Sequence, residues 1–361
     1  MNSKGLIGLS ASKVRGLLDS GELSPLEVFD ATAERIQTIN PLVNALPTLC
    51  LDAARERAQR LTDMPANVSA RGPLWGLPTA VKDYNDLASV KTTYGSPIFA
   101  NNIPDRSDAT VETLESNGAI LIGKSNVPEW AGAHTFNPVF GHTLNPWNRD
   151  MSAGGSSGGS AVALATGMAF LATGNDLGGS LRVPASFNGI VGLRPTPGLV
   201  PRGRRLPAFD TLWVEGPMGR CVEDVALMLD GGSGLHRDDP LSFNPAGYSF
   251  RKQLHHTDMP RRVAFSADLG VVPMEPEIAA VCASAATQFS ELGAEVCAAE
   301  IDFSGVIEAF QTLRAHLFAG MMEPLLESHR DLIAPEIVWN IEKGLALTAV
   351  DLRKAQRIRT K

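Results

Sequence analysis

An α/β fold on a mixed or parallel sheet is what this 361-residue chain predicts, and three observations carry the prediction. Residues 78–81 and 119–122 are short apolar runs bounded by glycine or proline, the pattern of buried strands. Residues 109–117 between them fit a helix ended by Gly118. The same alternation resumes downstream, so helices are expected on both faces of the sheet.

The elements follow in order. Ser24-Pro25-Leu26-Glu27 is a capping box with proline at the first helical position, and Leu26, Phe29, Ala33 and Ile36 continue at helical spacing until Asn40-Pro41, which is expected to stop the helix. The first sixty or so residues thus read as a helical layer. After the strand–helix–strand segment, residues 161–167 form a small-residue helix and 169–173 a strand. Residues 222–230 are an amphipathic helix, and Gly231-Gly232-Ser233-Gly234 caps it and opens a long loop. Residues 262–265 read as a strand. Ile278, Val281, Ala285, Phe289 and Leu292 make a helical stripe closed by Gly293, and residues 295–298 are the next strand. A last helix runs from Ala349 with Leu352 and Ile358 on one side. No repeat of solenoid period is present.

Composition bounds the function. A 44% hydrophobic and 20% charged chain is ordinary globular usage, long enough for two domains or one large one. The net charge of −7 disfavours a nucleic-acid partner, and the local basic groups at Arg202, Arg204, Arg205, Arg261 and Arg262 read as solvated loop ends. Cys50, Cys221, Cys282 and Cys297 form no CxxC pair and read as buried thiols of a cytoplasmic protein, not a disulfide framework or a zinc site. The N-terminus lacks the apolar core of a signal peptide, and the longest apolar stretch, 161–173, is shorter than a membrane span.

Two glycine- and serine-rich runs stand out: Gly154-Gly155-Ser156-Ser157-Gly158-Gly159-Ser160, and Gly178-Gly179-Ser180 after Asp176-Leu177. Such runs read either as flexible linkers or as turns whose N–H groups face a ligand. The second follows an apolar strand and precedes Arg182 and Pro184, placing it at a strand's C-terminal edge, where α/β proteins bind ligands. Gly154 to Gly158 also satisfies G-x-S-x-G, but the elbow requires a preceding strand and the stretch before it is loop-like. Residues 118–125 match the Walker A pattern literally, yet Ala-Ile-Leu-Ile is a strand and Pro128 opposes a following helix, so Lys124 reads as structural. His134 and His142 fit no metal spacing. Lys82 alone, followed by Asp83 and Asp86, reads as an ion-paired lysine.

Taken together, Lys82 in Ala-Val-Lys-Asp, the GGSSGG run and Asp176-Leu177-Gly178-Gly179-Ser180-Leu181-Arg182 resemble the amidase signature family of Ser–Ser–Lys hydrolases. The likeness includes residues 123–129, 143–147 and 189–196 and extends over most of 8–230. It implies a three-layer α/β/α fold around a large mixed sheet, a single domain over 1–361 with its catalytic core at about 74–230, and hydrolysis of a carboxylic amide through an acyl-enzyme. By the same resemblance Ser180 is the nucleophile, Ser156 the bridging residue in a cis Gly155–Ser156 peptide, and Lys82 the base. Ser157 orients the relay. The N–H groups of Leu177, Gly178, Gly179 and Ser180 form the oxyanion hole, with Asp176 and Arg182 anchoring the turn. Asn175 stands where many relatives have threonine. No cofactor or metal is implied, and the partner is a small-molecule amide. Trp130, Phe136 and Trp213 are candidate pocket walls.

The chemistry constrains these roles. A lysine takes a serine proton only when neutral, and moving its pKa from about 10.4 to about 7 or 8 requires roughly 4 kcal/mol of environmental bias, so Lys82 should be buried. Two other functions compete: a Ser–His–Asp esterase using His236, His255, His256, His316 or His329, and a catalytically inactive relative. Relatives continue past the helix at 349–361, so the chain is expected to be weakly active alone, with an uncovered sheet edge favouring a homodimer or another partner chain.

Overall fold

Ser10 and Ser24 set the first helices. The computed structural model describes residues 3–64, 71–203, 207–245, 247–255 and 258–361. It opens with α1 (Ser3–Ile7), α2 (Ala11–Ser20) and α3 (Pro25–Val43). The Ser10 side chain accepts from the Lys13 N–H, and Ser24 and Glu27 make the expected reciprocal capping box. The expected stop at Pro41 is corrected. Helix α3 carries Pro41 in its last turn and ends at Val43, with Asn44 at φ 52. Asn44 N–H still reaches the Asn40 carbonyl at 2.8 Å, and the Asn40 side chain accepts from Ala45 and Leu46 N–H, so the exit holds without the bond that proline lacks.

The described residues group into two compact units, Met1–Arg251 with Gly320–Trp339, and Lys252–Ala319 with Asn340–Lys361. In the first, β1 (Thr48–Leu49), β2 (Pro78–Lys82), β3 (Ile120–Ser125), β4 (Phe136–Asn137), β5 (Gly141–His142), β6 (Leu171–Asp176), β7 (Val191–Gly192) and β8 (Val214–Gly219) alternate with α4 (Leu51–Thr62), α5 (Ala109–Ser116), α6 (Gly158–Ala165), α7 (Arg182–Asn188) and α8 (Val222–Gly232). The main sheet has six strands in the order β1-β3-β2-β6-β8-β7. Its centre, β3-β2-β6, is parallel, and both flanks are antiparallel. The mixed α/β sheet is therefore as expected. Helices α4, α6 and α8 pack on it over a core that includes Leu77, Leu114, Ile120, Ile122 and Phe170.

Parallel order places the C-terminal ends of β2 and β6 side by side, so Lys82 and Asp176 both end at one edge of the sheet. Strand β3 runs through Gly123-Lys124-Ser125, which excludes a phosphate-binding turn there. No strand directly precedes Ser156, as the elbow geometry would need. Gly158 and Gly159 belong to the first turn of α6, earlier than the expected helix start. They are glycines because backbone passes close by: a Cβ on Gly159 would lie 2.3 Å from Asn126 N and 2.7 Å from Ala45 O.

Arg202 is a further correction. It is buried, its guanidinium facing Asp210 and the Trp213 and Pro207 carbonyls instead of solvent. Arg204, Arg205 and His256 lie outside the described residues. After the short helix α9 (Phe250–Gln253), β9 (Arg262–Phe265) pairs in parallel with β10 (Glu295–Ala298) in the second unit, and α10 (Pro276–Glu291) joins them. The apolar stripe of α10 faces outward: Val281 is 63% exposed and Leu292 62%. Cys282 and Cys297 are exposed and Cys50 and Cys221 half-buried, which corrects the expectation of four buried thiols. Helices α11 (Val306–His329) and α12 (Pro335–Leu345) contribute residues to both units, and α13 (Ala349–Thr360) closes the chain behind a Thr348–Asp351 capping box. No helix among the described residues is long and apolar enough to cross a membrane.

Gly159→Ala is expected to destabilise the protein by about 1–3 kcal/mol, since a methyl group must displace backbone instead of a flexible side chain. Thermal melting against the wild type measures it; an unchanged melting temperature would show that α6 can shift freely.

Candidate active site

Lys82 and Lys124 are the two largest fully buried side chains described, and their surroundings differ. Lys124 on β3 has a carboxylate partner, Asp83 Oδ1 at 3.4 Å, and it also donates to Thr92 Oγ1 at 2.8 Å and to the Asn85 carbonyl. Burial pushes the Lys124 ammonium down and the Asp83 carboxyl up, and each charge partly offsets the shift of the other. Lys124 is thus structural, as expected.

Lys82 Nζ instead lies 2.7 Å from Ser156 Oγ, 2.7 Å from Ser157 Oγ and 2.6 Å from Asn175 Oδ1. These acceptors are neutral. Its backbone is fixed too, donating to Thr173 Oγ1 at 2.7 Å where β2 and β6 part. The Tyr84 ring centroid is 4.7 Å from Nζ, and burial holds the Tyr84 phenol well above its ordinary value, so it stays protonated and donates to the Pro128 carbonyl.

The Gly155–Ser156 peptide is cis. Around it, Gly154 takes φ 69, and a Cβ on Gly158 would lie 2.1 Å from Thr135 Oγ1. Thr135 bridges the loop, donating to the Gly154 carbonyl at 2.8 Å and accepting from Gly158 N–H. Ser160, one turn on, donates to the Thr173 carbonyl at 2.8 Å and meets Ser125 Oγ at 2.7 Å, tying α6 to β6 and β3.

The turn after β6 brings Ser180 to this cluster. The Ser180 carbonyl accepts from Ser157 N–H at 3.3 Å, while its hydroxyl makes no hydrogen bond among the described residues. Asp176 shapes the turn. Its buried carboxylate accepts from Gly179 N–H at 2.8 Å, Leu181 N–H at 3.2 Å, and Arg182 Nε and Nη2 at 3.0 Å each. Arg194 adds a contact at 3.3 Å, a partner not singled out from the sequence although its motif was. Burial alone would raise the Asp176 pKa, but Arg182 and the Gly179 and Leu181 N–H groups outweigh it and hold the carboxyl below its ordinary value. Of the four N–H groups assigned to an oxyanion hole, that of Gly179 is therefore engaged by Asp176. Those of Leu177, Gly178 and Ser180 have no partner among the described residues.

Three histidines among the described residues have hydrogen-bond partners outside this cluster. His236 pairs with Glu112 at 3.1 Å, His134 with Ser152 at 2.8 Å, and His329 with Ser328. No group of His, Cys, Asp and Glu able to hold a metal is present among the described residues. Of the candidate walls, Trp130 stacks on Tyr94 with centroids 5.1 Å apart, Trp213 donates to Glu215, and Phe136 is half-exposed beside His142.

The profile of the amidase family matches residues 27–357. The chain belongs to that family. It is 33% identical over 370 residues to an acylamidase of Rhodococcus erythropolis, a match covering 99% of this chain and 76% of that protein. To a glutamyl-tRNA(Gln) amidotransferase subunit of Carboxydothermus hydrogenoformans it is 40% identical over 235 residues, covering 65% of this chain and 48% of that protein. A crystal structure of a bacterial aryl acylamidase of the amidase signature enzymes superposes with a TM-score of 0.89 at 29% identity, covering 98% of this chain and 75% of that one. The chain thus spans three quarters of the acylamidase and about half of the amidotransferase subunit.

The lowered pKa of Asp176 has a consequence for stability. A depressed carboxyl stabilises the fold fully above its unfolded value, about 3.9, and the contribution is lost as pH falls through the folded value. Asp176→Asn is expected to lower stability near neutral pH, with the gap to wild type narrowing only below about pH 4. Urea denaturation at stepped pH checks this; a gap independent of pH down to acid unfolding would remove the charge from the account.

Proposed function

We propose that this chain hydrolyses carboxylic amides through a Ser180 acyl-enzyme, with Ser156 and Lys82 as the proton relay. The observation that carries the reading is Lys82 Nζ, fully buried and 2.7 Å from Ser156 Oγ among neutral acceptors. Burial disfavours the ammonium, which is what a lysine acting as base requires.

In the proposed sequence Ser180 Oγ attacks the carbonyl carbon while its proton passes to Ser156 Oγ and the Ser156 proton passes to Nζ. The carbonyl oxygen becomes an oxyanion facing the N–H groups of Leu177, Gly178 and Ser180. Collapse breaks the C–N bond, and the proton returns through Ser156 to the departing nitrogen, giving ammonia or an amine. Water then repeats the cycle on the ester and releases the acid. Asp176, Arg182 and Arg194 hold the turn from behind and do not touch the reacting atoms. The protonated Tyr84 supplies no base. The acylamidase and aryl acylamidase relatives favour a small acyl or aryl amide as substrate. A Ser–His–Asp esterase is disfavoured because the hydrogen-bonded histidines pair elsewhere.

Ser180→Ala is expected to abolish ammonia release across a panel of simple amides. Lys82→Ala and Ser156→Ala should each lower kcat far more than they raise KM, with strongly non-additive losses in the double variant because both act in one chain of proton transfer. Additive losses, or activity retained in Ser180→Ala, would overturn the relay.

A further inference from the structure

Asn175 accepts a hydrogen bond from Lys82 Nζ, yet its own Nδ2 is buried and has no hydrogen-bond partner. An unsatisfied buried amide donor is unfavourable, and a hydroxyl or an apolar side chain in this place would avoid it. What the carboxamide supplies in return is an oxygen that can only accept, and that property bears on the base.

An ammonium has three hydrogens, and Ser156, Ser157 and Asn175 take one each. A neutral amine has two hydrogens and a lone pair, so one contact must reverse, its partner then donating to nitrogen. Either serine hydroxyl can reverse by rotation. The Asn175 oxygen cannot. We propose that Asn175 is a positioning residue for Lys82, its Oδ1 an acceptor that keeps one N–H directed at itself and so turns the lone pair of the neutral amine towards the Ser156 and Ser157 hydroxyls. This rests on the serine–lysine reading of the site.

Other charged and titratable groups surround the pair; the Tyr84 hydroxyl also shares a hydrogen bond with Ser156, and the rest are partnered away from it. Tyr84 donates to Pro128 O, Asp83 pairs with Lys124, and Asp176 with Arg182 and Arg194. Glu215, opposite Asn175 in the β6–β8 register, accepts from Asn85 and Trp213, and Glu129 from Ser96. Helix α6 carries no charged residue. The residue at 175 is therefore the place where charge can be changed next to Nζ without breaking an ion pair.

A fluorophosphonate probe reads the relay without a known substrate: the Ser180 O–P bond forms, P–F breaks, fluoride leaves, and the serine proton goes to Lys82 through Ser156. Labelling rate is measured against pH for the full chain and two near-isosteric variants. Asn175→Asp places an anion beside the ammonium and is expected to move the rising limb up by about one pH unit or more, with the rate recovering at high pH. Asn175→Leu removes an acceptor of the ammonium and is expected to move the limb down while lowering the plateau, with the melting temperature kept or raised because the unpartnered amide is gone. Opposite shifts support the assignment. Limbs that stay at the wild-type pH, or move in the same direction, overturn it, and Asn175→Leu alone decides if the aspartate variant does not fold. Failure of the wild type to label at Ser180, or labelling with no rising limb, overturns the serine–lysine reading itself, a result distinct from a labelled wild type with unmoved variants.

Discussion

Putting a lysine head group at the buried end of β2, with hydroxyl and amide oxygens around it, is the constraint that the rest of the first unit serves. An ammonium taken from water loses hydration that neutral acceptors replace only in part. The comparison is internal to the molecule. Lys124, on the neighbouring strand and equally buried, has a carboxylate within 3.4 Å and reads as a structural pair. The same side chain thus sits in two environments on paired strands, beside a carboxylate at Lys124 and among hydroxyl and amide oxygens at Lys82.

Holding Lys82 that way dictates the geometry of three segments. Strand β6 supplies Thr173 to the Lys82 N–H and Asn175 to Nζ, so its odd-numbered residues face the lysine while Asp176, one residue on, points into the next turn. The loop before α6 supplies two hydroxyls within three residues of helix start, which needs close backbone approach at Gly158 and Gly159. Asp176 then organises the turn carrying Ser180. Its carboxylate takes the Gly179 N–H and leaves the flanking N–H groups of Gly178 and Ser180 unpartnered among the described residues. A carboxylate that gathers one amide of a tight turn orients its neighbours away, which is how an anchoring residue outside the reaction determines what the turn offers a ligand.

Much of this was legible in the sequence, for identifiable reasons. The capping box at Ser24, the apolar strands at β2 and β3 and the Gly–Ser runs are local signals, written within four to seven residues, and local physics is enough to read them. The ordered spacing of Lys82, Ser156 and Ser180 added what composition could not. The misses are tertiary. Pro41 stays helical because Asn40 rebuilds the exit. Arg202 is buried because Asp210 and two carbonyls meet it from the following loop. Strand β8, with its Pro217 and two glycines, has no strand-like pattern of its own and exists by pairing with β6. Asn175 was visible only as a departure from threonine; its bond to Nζ depends on the pleat of β6 against the end of β2.

The Ser180 hydroxyl stands without a hydrogen bond among the described residues while its carbonyl is tied to Ser157 N–H. Backbone tethering leaves the side chain free to rotate about χ1, a motion that needs no change in the turn. A proposed nucleophile must meet Ser156 in one rotamer and a substrate carbonyl along the attack direction, and catalytic hydrogen bonds are commonly loose until substrate is bound. Hydrogen bonds are therefore concentrated on the lysine, the serine pair and the Asp176-held turn, while the Ser180 hydroxyl carries none among the described residues. That division places the alignment demand on groups fixed before any ligand arrives, which is the condition under which hydrogen-bond donors stabilise developing charge without reorganising.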